Sequence, residues 1–173
     1  MSGGEAIAFR ALAKADLAML HRWLNRPHLR PFFQRSPINL DEVLAKYGPR
    51  VRREVPTLSH LAFLNGRPFG YLQCYRIADW PDYAREINVG NAIGVDYFIA
   101  EPKLIGRGLG HAMIAAYLRD VAFPAFPHAA RCVVCYDEAN VASGRALEGA
   151  GFRHVRDLME GGLPSRMMAL ERP

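Results

Sequence analysis

Lysine is nearly missing from this chain: of its 22 cationic residues only Lys14, Lys46 and Lys103 are lysines, and the other nineteen are arginines. They are spread from Arg10 to Arg172. A nucleic-acid interface gathers its cations into a stripe interleaved with aromatics. No such stripe exists here, so a nucleic-acid partner is not expected. The net charge of +5 is a mild bias towards anionic ligands, phosphates included. Cysteine is scarce as well, with three. A small, odd number argues against a disulfide framework and for a reducing, cytoplasmic setting. Cys132 and Cys135 spell C-x-x-C, but the run Arg131 to Tyr136 reads as a buried strand, on which residues three apart face opposite sides. No second pair is present to complete a tetrahedral zinc site. The histidines at 21, 28, 60, 111, 128 and 154 show no ligand spacing, so no metal is implied. Long apolar runs are absent too. Nothing approaches the roughly 20 residues of a membrane span, and the start MSGGEAIAFR lacks a signal peptide's apolar stretch. A membrane partner is therefore not expected.

What is present suits one domain over residues 1–173. Half the residues are hydrophobic and 10% aromatic, enough to bury a core, and no repeat, linker or low-complexity tract interrupts them. Asp16 stands where it would cap a helix carrying Leu17, Leu20 and Leu24, which ends before Pro27. A second helix is expected from about Leu40 to Val51, with Asn39 or Asp41 near its start. Leu58–Leu64 and Phe69–Tyr75 are apolar runs joined through Asn65-Gly66, a hairpin signal. The polar stretch from Ala78 to Gly90 reads as a loop with some strand content. Ala92–Ala100 reads as a strand, followed by Gly106-Arg107-Gly108-Leu109-Gly110 and an apolar helix from about His111 to Phe123 that Pro124 and Pro127 end. Then come a strand Arg131–Tyr136, a helix ending at Ala150-Gly151, and a hairpin of Phe152–Met159 and Ser165–Glu171 turned by Gly161-Gly162. A strand–helix–strand unit flanked by antiparallel hairpins implies an α/β fold with a mixed sheet and helices on its faces.

The chemistry sits in the strand–glycine turn–helix segment. Three glycines at alternate positions remove the Cβ atoms that would hold a ligand off the backbone. The helix they open has amides without intrahelical partners and a partial positive charge, and Arg107 adds a full one. That is a phosphate or pyrophosphate site. It is not a P-loop, because Gly110 precedes His111-Ala112 rather than Lys and Ser or Thr. Nor is it a dinucleotide fingerprint, because the spacing is G-x-G-x-G and the next strand ends at Tyr136, too far on for the acidic partner.

Arg107-Gly108-Leu109-Gly110, a helix, a strand, Asn140, and Ala146-Leu147-Glu148-Gly149-Ala150-Gly151-Phe152 together resemble the GCN5-related N-acetyltransferase (GNAT) superfamily. Asp16-Leu17-Ala18-Met19-Leu20, Trp23-Leu24-Asn25-Arg26-Pro27-His28, Leu64 to Tyr71 and Gly94-Val95-Asp96 are similar to the aminoglycoside 6'-N-acetyltransferases and related siderophore-type enzymes. The resemblance covers about Phe9 to Ala169. It implies a splayed strand pair holding acetyl-CoA, with the coenzyme contacted by Phe98, Ile99, Ile105, Gly106, Arg107, Gly108, Leu109, Gly110, His111 and Asn140. Main-chain amides near Phe98 and Ile99 would meet the pantetheine arm and the thioester carbonyl. No covalent enzyme intermediate is needed, only a neutral amine placed against that carbon.

Asp96 takes the position of the acidic residue that faces the acceptor amine. An ordinary carboxylate near 4 is a poor proton match for an ammonium near 9 or 10. Its implied role is to bind and orient the ammonium and then receive or relay a proton. The acceptor pocket would draw on Trp23, Asn25, Tyr71, Gln73, Trp80 and Asp96, with Phe32 and Phe33 nearby, while Asp79, Asp82, Glu86 and Asp96 fall where an acidic rim would form. Three departures stand out. Ile105 replaces the usual Gln or Arg, Leu147 replaces the Tyr that protonates the departing thiolate, and Cys135 replaces an aspartate. The function implied is acetyl-CoA-dependent acetylation of a small, aminoglycoside-like primary amine by a monomer or homodimer. The alternatives are acylation of a siderophore-type hydroxylamine or another amine, and a silent acyl-CoA-binding module.

Overall fold

The computed structural model describes residues 6–173, which form two compact units. The first comprises the chain up to Gln73 together with Tyr97–Leu104; the second comprises Cys74–Asp96 and Ile105–Pro173.

In the first unit the strands run in the order β1 (Ile7–Ala11), β2 (Leu58–Leu64), β3 (Arg67–Arg76, here as far as Gln73) and β4 (Ala92–Ile99, here from Tyr97). Strand β1 pairs antiparallel with β2 from Ile7↔Leu64 to Ala11↔His60. It was not expected from the sequence, being five residues long, half-buried at most and carrying Arg10 mid-strand. The β2–β3 turn places Asn65 at φ 48° and Gly66 at φ 81°, the paired left-handed conformation that Asn-Gly tolerates.

Helix α1 (Leu17–Leu24) sits where expected, but its start differs. A 3₁₀ turn over Lys14–Asp16 precedes it, and the Asp16 carboxylate accepts the Ala13 N–H at 2.8 Å and pairs with Arg10 at 2.9 Å. Asp16 thus caps the 3₁₀ turn rather than the helix. Helix α2 (Leu40–Val51) opens on a capping box. Asn39 Oδ1 accepts the Glu42 N–H and Glu42 accepts the Asn39 N–H, which satisfies two otherwise orphaned donors. Leu17, Leu20, Trp23 and Leu24 of α1, with Val43 and Tyr47 of α2, pack with Leu61, Tyr71, Phe98 and Ala100 into one core.

In the second unit the order is β3 (from Cys74), β4 (to Asp96), β5 (Arg131–Asp137), β7 (Leu163–Glu171) and β6 (Arg153–Glu160). Strand β5 is antiparallel to β7, and β6 to β7. Strand β4 is parallel to β5, so this is a mixed sheet. That parallel pairing runs from Ala92↔Arg131 to Gly94↔Val133 and stops, although both strands continue. The parallel register thus comprises three residue pairs.

Helices cover both faces of this sheet. Helix α4 (Leu109–Tyr117) brings the Tyr117 hydroxyl to the Cys74 sulfur at 3.3 Å. On the other face Tyr75, Ala92, Val133 and Met167 pack with Tyr83, Ala84 and Ile87 of α3 (Pro81–Ile87). Helix α3 corrects the loop expected over Ala78–Gly90. Pro81 occupies the first turn, where its missing N–H costs nothing, and Tyr83, Ala84 and Ile87 recur at helical spacing to meet the core.

The apolar helix begins at Leu109 rather than His111. It widens into a π-helical stretch over Leu118–Ala122 and ends in one turn, α5 (Phe123–Ala125), that accommodates Pro124. Helix α6 spans Val141–Gly149. No helix among the described residues is long and apolar enough to cross a membrane.

Candidate active site

The glycine turn lies wholly in the second unit. Gly106 and Gly108 take φ of 78° and 77°, the left-handed region that costs any other L-residue roughly 1–2 kcal/mol. A Cβ at Gly106 would meet nothing within 4 Å, so backbone there borders open space. Gly108 is the N-cap of α4 and no side chain caps that helix. Its first amides thus have no intrahelical or side-chain cap partner, and the helix dipole adds positive charge at the same place. Gly110 has a different reason to be glycine. A Cβ there would stand 3.2 Å from the Ala146 Cβ, and one at Gly149 would stand 2.9 Å from His111. These two glycines let α4 and α6 approach each other. Of the three alternating glycines, then, two shape the turn and one packs helices.

Asn140 caps α6: its Oδ1 accepts the Ser143 N–H at 3.2 Å. Leu147 is fully buried, so the position of the missing tyrosine is core. Tyr136 lies against α6, its hydroxyl 2.6 Å from where a Gly144 Cβ would be. Ile105 is exposed.

Asp96, half-buried on β4, belongs to a cluster that the sequence did not reveal as one. Gly94 precedes it by two residues and so shares its face; the Tyr75 ring fills the space a Gly94 side chain would need. Burial pushes the Glu160 carboxyl up to about 7, with the neighbouring Asp96 carboxylate as the second cause, while a hydrogen bond from Tyr83 opposes the rise. Burial also holds the Tyr75 and Tyr83 hydroxyls far above their ordinary range, and both sense Asp96 and Glu160. Cys135 is pushed up to about 12 by burial and then by Glu160, so it is an inert thiol. Cys132 is fully buried, and among the described residues no group of acids, cysteines and histidines could hold a metal.

Much of the expected acidic rim is already paired. Asp79 meets Arg76 at 2.9 Å, Asp82 pairs with Arg85, and Glu86 accepts the Gly161 N–H at 2.6 Å. Trp80 is partly exposed beside them. Glu160 was missed because a glutamate ahead of Gly161-Gly162 reads as a turn residue. Only the β6–β7 register, closing at Glu160↔Leu163, places it at a strand end.

The remaining expected residues lie in the first unit and are knit into its fold. Trp23 is core, edge-on to Phe98 at 6.3 Å. Phe33 packs on Phe98 at 4.7 Å, while Phe32 is exposed. Tyr71 stacks on Phe98 at 5.5 Å. Asn25 donates to the His21 and Ile38 carbonyls and accepts the Ile38 N–H, which ties α1 to the segment entering α2. Gln73 Oε1 accepts from Tyr71 at 2.8 Å and from Arg50, and Tyr71 is within 2.8 Å of the buried Ser59 hydroxyl.

At the end of β4, the Ala100 N–H bonds to the Phe69 carbonyl at 2.7 Å. Phe98 and Ala100 share one core face, so by alternation the Phe98 amide also points at β3 while the Ile99 groups point to the opposite edge. There the Ile99 carbonyl meets His28 Nε2 at 2.9 Å, and Arg26 engages the Ala100 carbonyl and Glu101. Of the two residues expected to offer main-chain amides, Ile99 is the one that points away from β3.

A glycine turn opening an uncapped helix, in a unit whose β4 and β5 run parallel over three residue pairs, is matched by a known family: residues 13–159 correspond to the acetyltransferase (GNAT) domain. The chain belongs to that family. Aminoglycoside N(6')-acetyltransferase type 1 of Klebsiella pneumoniae and that of Serratia marcescens are each 28% identical to this GNAT chain over 154 residues, 87% of it and 76% of theirs. Among solved structures, aminoglycoside acetyltransferase AAC(6')-Ib with coenzyme A and kanamycin superposes with a TM-score of 0.84 at 25% identity, covering 96% of this GNAT chain and 95% of that one. The same enzyme with ribostamycin and coenzyme A gives 0.86 at 25%, covering 97% and 94%.

Proposed function

We propose that this GNAT chain is an acetyl-CoA-dependent N-acetyltransferase that acetylates a primary amine of a small, aminoglycoside-like molecule, and that residues 1–173 form one acetyltransferase domain. The family match across both units supports the single domain. The observation that carries the activity is the turn at Gly106 and Gly108 opening the uncapped end of α4. The curated relatives and the ligands bound by the superposing structures support the acceptor class.

The residues present fit coenzyme A. Backbone from Ile105 to His111 would hold its diphosphate, with the Arg107 guanidinium adding charge and Asn140 ordering the start of α6. Bound there, acetyl-CoA supplies an activated acetyl group. Asp96 would hold the acceptor ammonium and orient its nitrogen, a placement worth a large part of the barrier in a reaction without a covalent enzyme intermediate. Leu147 offers no acid for the departing sulfur.

Incubating the protein with acetyl-CoA and a panel of amines, and following free thiol, tests the reading. Thiol release with kanamycin-like amines is expected. Release with hydroxylamines alone would move the substrate to the siderophore class, and coenzyme binding without turnover would leave a binding module.

A further inference from the structure

We propose that His28 is a positioning residue of the acetyl transfer: its hydrogen bond to the Ile99 carbonyl fixes the end of β4 so that the Ile99 N–H donates to the carbonyl oxygen of the thioester. The inference rests on the reading that this chain binds acetyl-CoA, and it adds a residue outside the expected site.

The sequence brings His28 there. Pro27 forces Arg26 into an extended conformation, which ends α1, and opens a 3₁₀ turn over Pro27–Leu29. Leu29 anchors that turn in the core beside Phe98 and Ala100, leaving its neighbour His28 half-buried. Arg26 and His28, on either side of Pro27, then meet two successive carbonyls. His28 Nε2 lies 2.9 Å from the Ile99 oxygen, and Arg26 donates to the Ala100 carbonyl and, at 2.9 Å, to the Glu101 carboxylate.

The Ile99 carbonyl and the Ala100 N–H belong to one planar peptide group. His28 holds its oxygen while the Phe69 carbonyl accepts its N–H at 2.7 Å. Pinned at both ends, the peptide cannot rotate without breaking a bond. A carbonyl only accepts, so Nε2 carries the proton in this contact. The Ile99 N–H points away from β3 on the same side as that carbonyl. With the imidazole on the carbonyl, Ile99 presents its N–H, the donor that suits an oxygen gaining negative charge.

In the transfer the amine nitrogen forms its N–C bond to the acetyl carbon as the C=O pair moves onto the oxygen held by Ile99. The pair returns as the C–S bond breaks, the nitrogen's proton goes to solvent and the sulfur leaves as thiolate. His28 exchanges no proton in the step.

Two measurements on the full chain test this. In amide NMR of the native protein, acetyl-CoA should move both the Gly106 and Ile99 resonances. Adenosine 3'-phosphate 5'-diphosphate, which has the diphosphate but no pantetheine arm, should move Gly106 alone. A silent Ile99 beside a shifted Gly106 would overturn the role of His28 and leave the coenzyme reading standing; silence at both would sink that reading and the inference with it. In calorimetry and thiol-release assays, His28→Ala should weaken acetyl-CoA about fivefold with the armless nucleotide bound as before. Its kcat should fall about ten- to a hundredfold at unchanged acceptor KM. His28→Gln, whose side-chain amide can donate to the same carbonyl, should recover kcat to within about threefold of native. Native kcat and acetyl-CoA affinity in His28→Ala, or a Gln variant as impaired as the Ala variant, would overturn the proposal.

Discussion

The two compact units handle polar groups in opposite ways. In the first, the polar side chains near the core are matched to partners: Asn25 spends donor and acceptor on backbone, Tyr71 links Ser59 to Gln73, and Arg50 closes the chain of bonds. In the second, α4 begins without a side-chain cap, two residues sit in the left-handed region beside it, and burial together with the Asp96 charge pushes the Glu160 carboxyl up. Satisfied groups stabilise a fold, whereas exposed amides and crowded like charges cost stability. Sites of the second kind persist where a ligand or a reaction uses them. The expected pocket residues of the first unit therefore make structural contacts as well, and the proposal that they meet a substrate has to be tested against that.

The largest effect that would break this division is at Asp96. Asp96→Asn should lower turnover by about 100-fold or more while coenzyme A binds as before, measured by thiol release and by calorimetric titration of coenzyme A. Unchanged turnover would return the acceptor chemistry to the first unit.

A pair of glycine variants sharpens the picture inside the second unit. Gly108→Val puts a branched side chain beside the proposed diphosphate site, and coenzyme A affinity should fall by about tenfold, roughly 1.4 kcal/mol of lost binding; the φ of 77° adds a stability cost that is the same with and without coenzyme. Gly110→Val instead drives methyl groups into Ala146. It should lower the melting temperature more than it lowers affinity. Equal effects of the two variants on both measurements would erase the distinction between turn and packing.

The first unit is probed at Tyr71. Tyr71→Phe keeps the ring stacked on Phe98 but strips the hydroxyl from Ser59 and Gln73. Leaving a buried polar group short of a partner costs about 1–3 kcal/mol. Denaturant unfolding should show that loss with coenzyme A affinity unchanged. A variant of native stability but weakened substrate binding would make Tyr71 a pocket residue after all.

Where the chain's own local signals were strong, the sequence was enough. Asn39, one of the two starts expected, opens α2, Asn65-Gly66 marked the β2–β3 turn, and Gly106 to Gly110 marked the opening of α4. What escaped were elements defined by neighbours distant in sequence. Strand β1 is too short to show alternation and exists through its pairing with β2. Helix α3 begins with Trp80-Pro81, a pair that signals a loop until Tyr83 and Ile87 are seen against Val133 and Met167. The influence of Asp96 on Glu160 was not legible, because the two are 64 positions apart in the chain and only the fold lets one charge act on the other. In the first unit Arg50 was missed for the same reason: a surface-like arginine on a helix gives no sign that it ends on Gln73.

The smallest effect is also the most direct comparison of the two units, because a half-buried titratable group in each, His60 and Glu160, shifts with opposite consequence for stability. Burial pushes His60, on β2 of the first unit, down to about 4, with Arg53 adding to the fall. The unfolded chain binds that proton near its ordinary 6.5, so between 6.5 and 4 the unfolded state holds more protons and acidification destabilises the fold. Glu160, in the second unit, has its proton held up to about 7 against an ordinary 4.5. There the folded state holds more protons, so its stabilising share is complete below 4.5 and is lost as the pH rises through 7. Between pH 4.5 and 6.5 the two contributions have opposite slopes and offset each other in the native protein. Melting temperatures measured from pH 4 to pH 8 separate them in the variants. His60→Gln should uncover a decline as the pH rises from 4.5 to 7, and Glu160→Gln should uncover a rise from pH 4 to 6.5. A His60→Gln variant with no such decline would contradict the proton-holding carboxyl on which the contrast between the units depends.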